Sequence, residues 1–128
     1  DNVSPQRVEN TLSFEPEISQ AMVYGDKRPH LVALLVPDEE FIVQWAAAKG
    51  HARDLEALSA SEPFHDALRT AVDRANARLS PIEQVRRFII AGGGFTVDNG
   101  LMTPTLKARR HLITEIYGER LEALYDRA

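Results

Sequence analysis

Cysteine is absent from the 128 residues. That excludes disulfides and thiolate metal sites and suits a reducing compartment. The expected location is cytoplasmic, or peripheral at the inner membrane. No apolar run approaches the ~18 residues of a membrane span, and no signal-peptide pattern is visible. The formal net charge of −4 argues against a general nucleic-acid binder, since such domains are usually clearly basic. The four histidines, His30, His51, His65 and His111, are never paired at i, i+4 and form no HExxH pattern, so no metal site is expected. There is no GxSxG nucleophile turn. Gly92-Gly93-Gly94 matches neither GxGxxG nor a Walker loop and reads as a bend between strands. Acid is also missing from one local stretch. No Asp or Glu occurs between Asp98 and Glu115, where Lys107, Arg109 and Arg110 fall together.

What is present describes one globular domain. Apolar content is 44% and charged content 27%, ordinary values for a chain long enough to bury a core. The first residue is Asp1 rather than Met, and Ser4-Pro5 opens a helix almost at once. This reads as a piece of a longer chain; the alternative is a trimmed independent protein. Ser4 as N-cap and Pro5 at the first helical position predict a helix over 5–13. Residues 18–24 and 31–36 flank Gly25-Asp26-Lys27-Arg28-Pro29 and read as a β-hairpin. The second run has no polar alternation, so it is expected to be buried on both faces.

Asp38 caps a helix over 39–49 that Gly50 ends. Asp38-Glu39-Glu40 reads as a helix N-terminus rather than a catalytic pair, and Phe41 and Trp45 as core rather than a ligand cage. Residues 51–60 suggest a loose helical turn. Phe64, Leu68, Ala71, Val72, Ala75 and Leu79 form the stripe of a long helix. Ser80 and Glu83 are spaced as a capping box. A third strand covers 87–90. Phe95-Thr96-Val97 and Leu101-Met102-Thr103 flank Asn99-Gly100, the strongest short hairpin signal. A last helix covers 107–126, with Gly118 a candidate break. The expected class is α+β: about five short strands in a small, mainly antiparallel sheet, packed against four or five helices.

The charge at the start of that last helix is the notable feature. A helix N-terminus favours Asp or Glu by roughly 0.3–1 kcal/mol per group, yet this one carries three cations. With Thr105 as N-cap and Lys107 in the first turn, free N–H groups, helix dipole and ammonium would together make an anion site. The alternative is that the cations are simply solvated.

The runs "NVSPQRVEN", "HLVALLVPDEEF" and "FTVDNGLMTPTLKARR", in this order over nearly the whole chain, resemble the C-terminal domain of long-chain fatty acid–CoA ligases, members of the adenylate-forming superfamily. "TVDNGLMTPTLKARR" is the most specific part. The resemblance implies a mobile lid on an N-terminal adenylation domain absent from this chain. The whole enzyme would join a fatty acid to ATP, release diphosphate, then pass the acyl group to CoA. Mg²⁺ would travel with ATP and be bound mainly by the absent domain, and the lid alone would be inactive. The family's adenylation-step lysine falls on Lys107, and Thr103 and Thr105 fall on the substrate- and nucleotide-binding side. Asn2, Val3 and Ser4 fall on the CoA side. The sequence departs from the family pattern twice: Asp1 stands where a lysine is usual, and "AGGG" at 91–94 replaces a more acidic or proline-containing segment. Two other readings compete. One is a free-standing protein-interaction module that reuses the fold. The other is an aryl or short-chain acid ligase; those usually carry glycine before the lysine, where Leu106 stands here.

Overall fold

The computed structural model describes residues 3–126. Five α-helices and three strands run α1 (Pro5–Ser13), β1 (Ile18–Tyr24), β2 (Leu31–Pro37), α2 (Glu39–Lys49), α3 (Leu55–Ser59), α4 (Glu62–Asn76), β3 (Val85–Ile90) and α5 (Arg110–Ala123). Short 3-10 turns cover Pro81–Glu83 and Leu124–Asp126.

Local chemistry sets most of these boundaries. The Ser4 hydroxyl accepts from the Arg7 N–H, the Asp38 side chain from Phe41 N–H and the Ser61 hydroxyl from Phe64 N–H. Each satisfies one of the donors a helix start leaves free. Gly50 ends α2 at a φ of 64°, a left-handed conformation that glycine takes without strain. The Ser80–Glu83 contact forms as the spacing implies: Ser80 N–H and Oγ both reach Glu83 Oε1, at 3.1 and 2.9 Å. It closes a single 3-10 turn and feeds β3 rather than a new helix. Gly118 does not break α5.

The sheet order is β1-β2-β3, with β1–β2 antiparallel and β2–β3 parallel. The α+β class stands, while the sheet is mixed and has three strands among the described residues rather than about five. The parallel pairing needs a long crossover, which α2, α3 and α4 supply together. β2 lies in the middle and is buried on both faces. Ala33 and Leu35 join Val8, Leu12, Phe64, Leu68, Val72 and Phe88 in one core. Val32, Leu34 and Val36 join Met22, Phe95, Ile113, Leu121 and Leu124 in a second. The result is three layers, with α1 and α4 on one face of the sheet and α5 on the other. Phe41 and Trp45 pack on Phe64, at ring-centroid distances of 5.7 and 5.2 Å, so both serve the core.

Candidate functional site

The segment between β3 and α5 has little regular structure, yet side chains hold it at almost every step. Ala91 N–H donates to Leu35 O at 2.8 Å, one rung beyond β3. Gly92 N–H donates to the Tyr117 hydroxyl at 3.0 Å. Gln20 then acts as a strand partner for Phe95: its Oε1 accepts the Phe95 N–H at 2.8 Å and its Nε2 donates to Phe95 O at 3.0 Å. Asn99 is the hub of the next turn. Its Oδ1 accepts from Thr96 N–H and Leu101 N–H, both at 3.0 Å, and its Nδ2 donates to Gly94 O at 2.8 Å. The triple glycine is therefore an ordered bend rather than a slack one.

The hairpin of this segment lies later than Asn99-Gly100 suggests. That dipeptide closes a turn, with Gly100 N–H on Val97 O at 3.1 Å, but no strands flank it. Instead Leu101–Thr103 and Lys107–Arg109 run antiparallel around a Met102–Ala108 bridge. Arg109 N–H donates to Leu101 O and Thr103 N–H to Lys107 O, both at 2.8 Å. Pro104, Thr105 and Leu106 form a three-residue loop. Leu106 N–H closes the turn on Thr103 O at 2.8 Å, and Leu106 itself sits at a φ of 65°. A turn followed by a left-handed residue is a common three-residue hairpin. Glycine suits that last position; a leucine there costs on the order of 1 kcal/mol.

Lys107 therefore lies at the base of the hairpin tip, not in a first helical turn. α5 starts at Arg110, and Arg109, its N-cap, makes no side-chain capping bond. Thr105 does not cap a helix; its hydroxyl lies 3.1 Å from that of Thr103. The Thr103 hydroxyl in turn accepts the Lys107 N–H at 3.1 Å. The expected union of helix dipole and ammonium does not form, because the hairpin moves the N-cap from Thr105 to Arg109, four residues later. The Lys107 side chain is exposed and has no ion-pair partner among the described residues.

Arg110 resolves part of the charge puzzle from inside the chain. Its guanidinium grips Glu9 with two bonds, Nη1 to Oε2 at 2.6 Å and Nη2 to Oε1 at 3.0 Å. Nη1 also donates to Val23 O at 3.3 Å. Glu9 is 6% exposed and accepts the Val23 N–H at 2.8 Å. These bonds raise the Arg110 pKa above its ordinary value, with Glu9 as the leading cause. One cation at the helix start is thus neutralised at the root of α5, and only Lys107 and Arg109 remain for an outside anion.

A profile of the AMP-binding enzyme C-terminal domain matches residues 1–128. The chain belongs to that family. A long-chain-fatty-acid–CoA ligase of Mycobacterium tuberculosis is 34% identical over 128 residues, covering 98% of this chain and 21% of its own length. Long-chain-fatty-acid–CoA ligase 1 of Homo sapiens is 29% identical over 127 residues, covering 97% of this chain and 18% of its own. The adenylation domain of a carboxylate reductase from Mycobacterium chelonae superposes with a TM-score of 0.76 at 30% identity, covering 98% of this chain and 18% of that one. The chain spans about a fifth of the length of the curated relatives it matches.

Within this AMP-binding C-terminal domain, one cavity adjoins the expected CoA-side segment at Val3, and Thr103, Thr105 and Lys107 do not line it. It has a volume of about 670 Å³, and its lining includes Val3 and Pro5 at the start of α1, Lys27 and Arg28 of the β1–β2 turn, and Arg110. Val3 packs on the first core, and the Ser4 hydroxyl is committed to capping α1. Asn2 lies outside the described residues. Arg28 is drawn to Glu122, which also accepts from the Tyr24 hydroxyl at 2.5 Å. Among the described residues no group of three or more His, Asp or Glu side chains could hold a metal ion. Sequence patterns missed Glu9, Gln20 and Asn99. Only Asn99 carried a signal, and it pointed to backbone geometry rather than to a side-chain hub.

Proposed function

We propose that this domain is the mobile lid of a long-chain fatty acid–CoA ligase and that Lys107 is its catalytic residue for the adenylation step. The observation that carries the reading is the contrast at the hairpin tip. The backbone around Lys107 is pinned by five hydrogen bonds from Leu101 to Arg109, while its ammonium is exposed and unpaired among the described residues.

In the adenylation step a fatty-acid carboxylate must approach the α-phosphate of ATP, so two anions meet. A positioned ammonium offsets their repulsion and stabilises the charge that develops in the transition state. Lys107 need not accept a proton for this; it acts as a point charge on a fixed stem. Thr103 and Thr105 hold the turn, and whichever hydroxyl accepts in their mutual bond keeps its own hydrogen free to donate to a nucleotide oxygen. ATP, CoA and Mg²⁺ are bound mainly by the adenylation domain of the same chain, and the lid alone forms no acyl-CoA. The cavity beside Val3 and Ser4 is the surface presented to CoA in the second step.

The test is Lys107→Ala in the full-length enzyme. Single-turnover release of diphosphate should slow by about 10²–10³-fold. Thioester formation from preformed acyl-adenylate should keep its rate. Normal adenylate formation with a slow thioester step would contradict the assignment.

A further inference from the structure

Two residues other than glycine have positive φ among the described residues, Lys27 and Leu106. Leu106 is the more demanding case. It is branched at Cγ, it sits at 65°, and its side chain is 70% exposed at the tip of the hairpin that carries Lys107. Its backbone closes the turn on Thr103 O, but its side chain belongs to neither core and gains nothing within the domain that glycine would lack. Glycine would take the same backbone conformation freely, and asparagine nearly so. Strain held at an exposed apolar side chain, one residue from an unpaired lysine, is what a contact made outside the domain leaves behind.

We infer that Leu106 is a positioning residue, an apolar peg that seats the hairpin tip in the adenylation domain of the same chain and so sets where the Lys107 ammonium comes to rest. This rests on the lid reading above. The occupant follows from the lengths: the chain accounts for about a fifth of its curated relatives, and the adenylation-domain structure it superposes on is mostly made of the remainder. The peg and the ammonium leave the same tight turn at adjacent positions, so fixing one restricts the other. A lysine alone, on its flexible stem, would arrive with a wide spread of positions. Misplacing a catalytic group by about 1 Å can cost ~10²-fold.

The experiment uses the full-length enzyme with Leu106→Asn and Leu106→Met, beside Lys107→Ala. Asparagine keeps the left-handed backbone and removes the apolar contact, whereas methionine keeps the contact. Leu106→Asn should slow diphosphate release about 10–100-fold and leave the thioester step from preformed acyl-adenylate unchanged. Leu106→Met should stay within about threefold of the parent, a difference of less than 1 kcal/mol. Thermal unfolding of Leu106→Met and Lys107→Ala should match the parent, and Leu106→Asn should be no less stable, since it relieves the left-handed strain. If Leu106→Asn adenylates like the parent while Lys107→Ala is slow, the peg is wrong and the lid reading stands. If Leu106→Asn slows both half-reactions equally, Leu106 acts on general stability or docking and the inference is overturned. If Lys107→Ala itself leaves adenylation intact, both readings fall.

Discussion

A single buried carboxylate determines how the domain holds the root of its hairpin. Glu9 sits on α1 at 6% exposure, and its oxygens are satisfied by Arg110 on α5 and by the Val23 N–H on β1. Three elements from distant parts of the chain therefore meet at one side chain. The positions of Glu9 and Arg110, about a hundred residues apart, carry no periodic signal, and so Arg110 reads in the sequence as a spare cation. Removing the partner of a buried charge is more damaging than removing the pair. Arg110→Ala leaves Glu9 with the Val23 N–H alone. Because the Arg110 side chain is 43% exposed, water recovers part of the loss, and the expected cost is about 3 kcal/mol, the low end for such a cut. Urea denaturation of the domain measures it. The double variant Glu9→Gln with Arg110→Met should recover most of that stability, since Gln keeps an acceptor for the Val23 N–H and no charge is then left buried.

At the scale of elements, the helices were the easiest to read and the sheet the hardest. Ser4, Asp38 and Ser61 each announce a helix start, and each caps one. The unbroken run of β2 correctly implied burial on both faces. The β2–β3 pairing was hidden because three helices separate strands that lie side by side, and local pattern carries no information on pairing partners. The last hairpin was misplaced for a sharper reason. Asn99-Gly100 is a strong turn signal, and Leu106 is a poor one, yet the left-handed hairpin position falls on Leu106. The rule failed where a residue stands in a conformation it disfavours. The hairpin's internal support is then testable at Thr103, whose hydroxyl accepts the Lys107 N–H and lies against that of Thr105. Thr103→Val keeps the shape and loses both contacts. It should cost about 1 kcal/mol, the net contribution of an ordinary hydrogen bond. Amide exchange should quicken at Lys107 while that of β2 keeps its rate, because the loss is local.

Taken as a whole molecule, the domain is two cores sharing one sheet, and several ion pairs tie together segments far apart in the chain. Glu15 shows this best. It is 5% exposed at the turn between α1 and β1, and it receives Arg74 Nε at 2.7 Å and Arg78 Nη1 at 2.8 Å from the far end of the α4 region. Arg74 continues to Glu17 at 2.5 Å, and Arg78 donates to Thr11 O at 3.0 Å. Burial pushes the Glu15 carboxyl up, but the bonds from Arg74 and Arg78 outweigh it and hold the group below its ordinary value of 4.5. A carboxyl whose pKa is lower folded than unfolded binds fewer protons in the native state. Its stabilisation is fully present above the unfolded value and is lost as pH falls through the folded one. Stability of the domain should thus decline as the solution is taken from about pH 6 to about pH 3. Glu83, held low first by the Ser80 N–H, and Glu122, held low first by the Tyr24 hydroxyl, act in the same direction. Glu15→Gln should lower the urea midpoint at neutral pH and flatten the acid slope without abolishing it, since those two carboxyls remain. A variant whose midpoint falls with the same slope as the parent would mean that Glu15 is protonated at the same pH folded and unfolded, and that its arginine contacts contribute packing rather than charge.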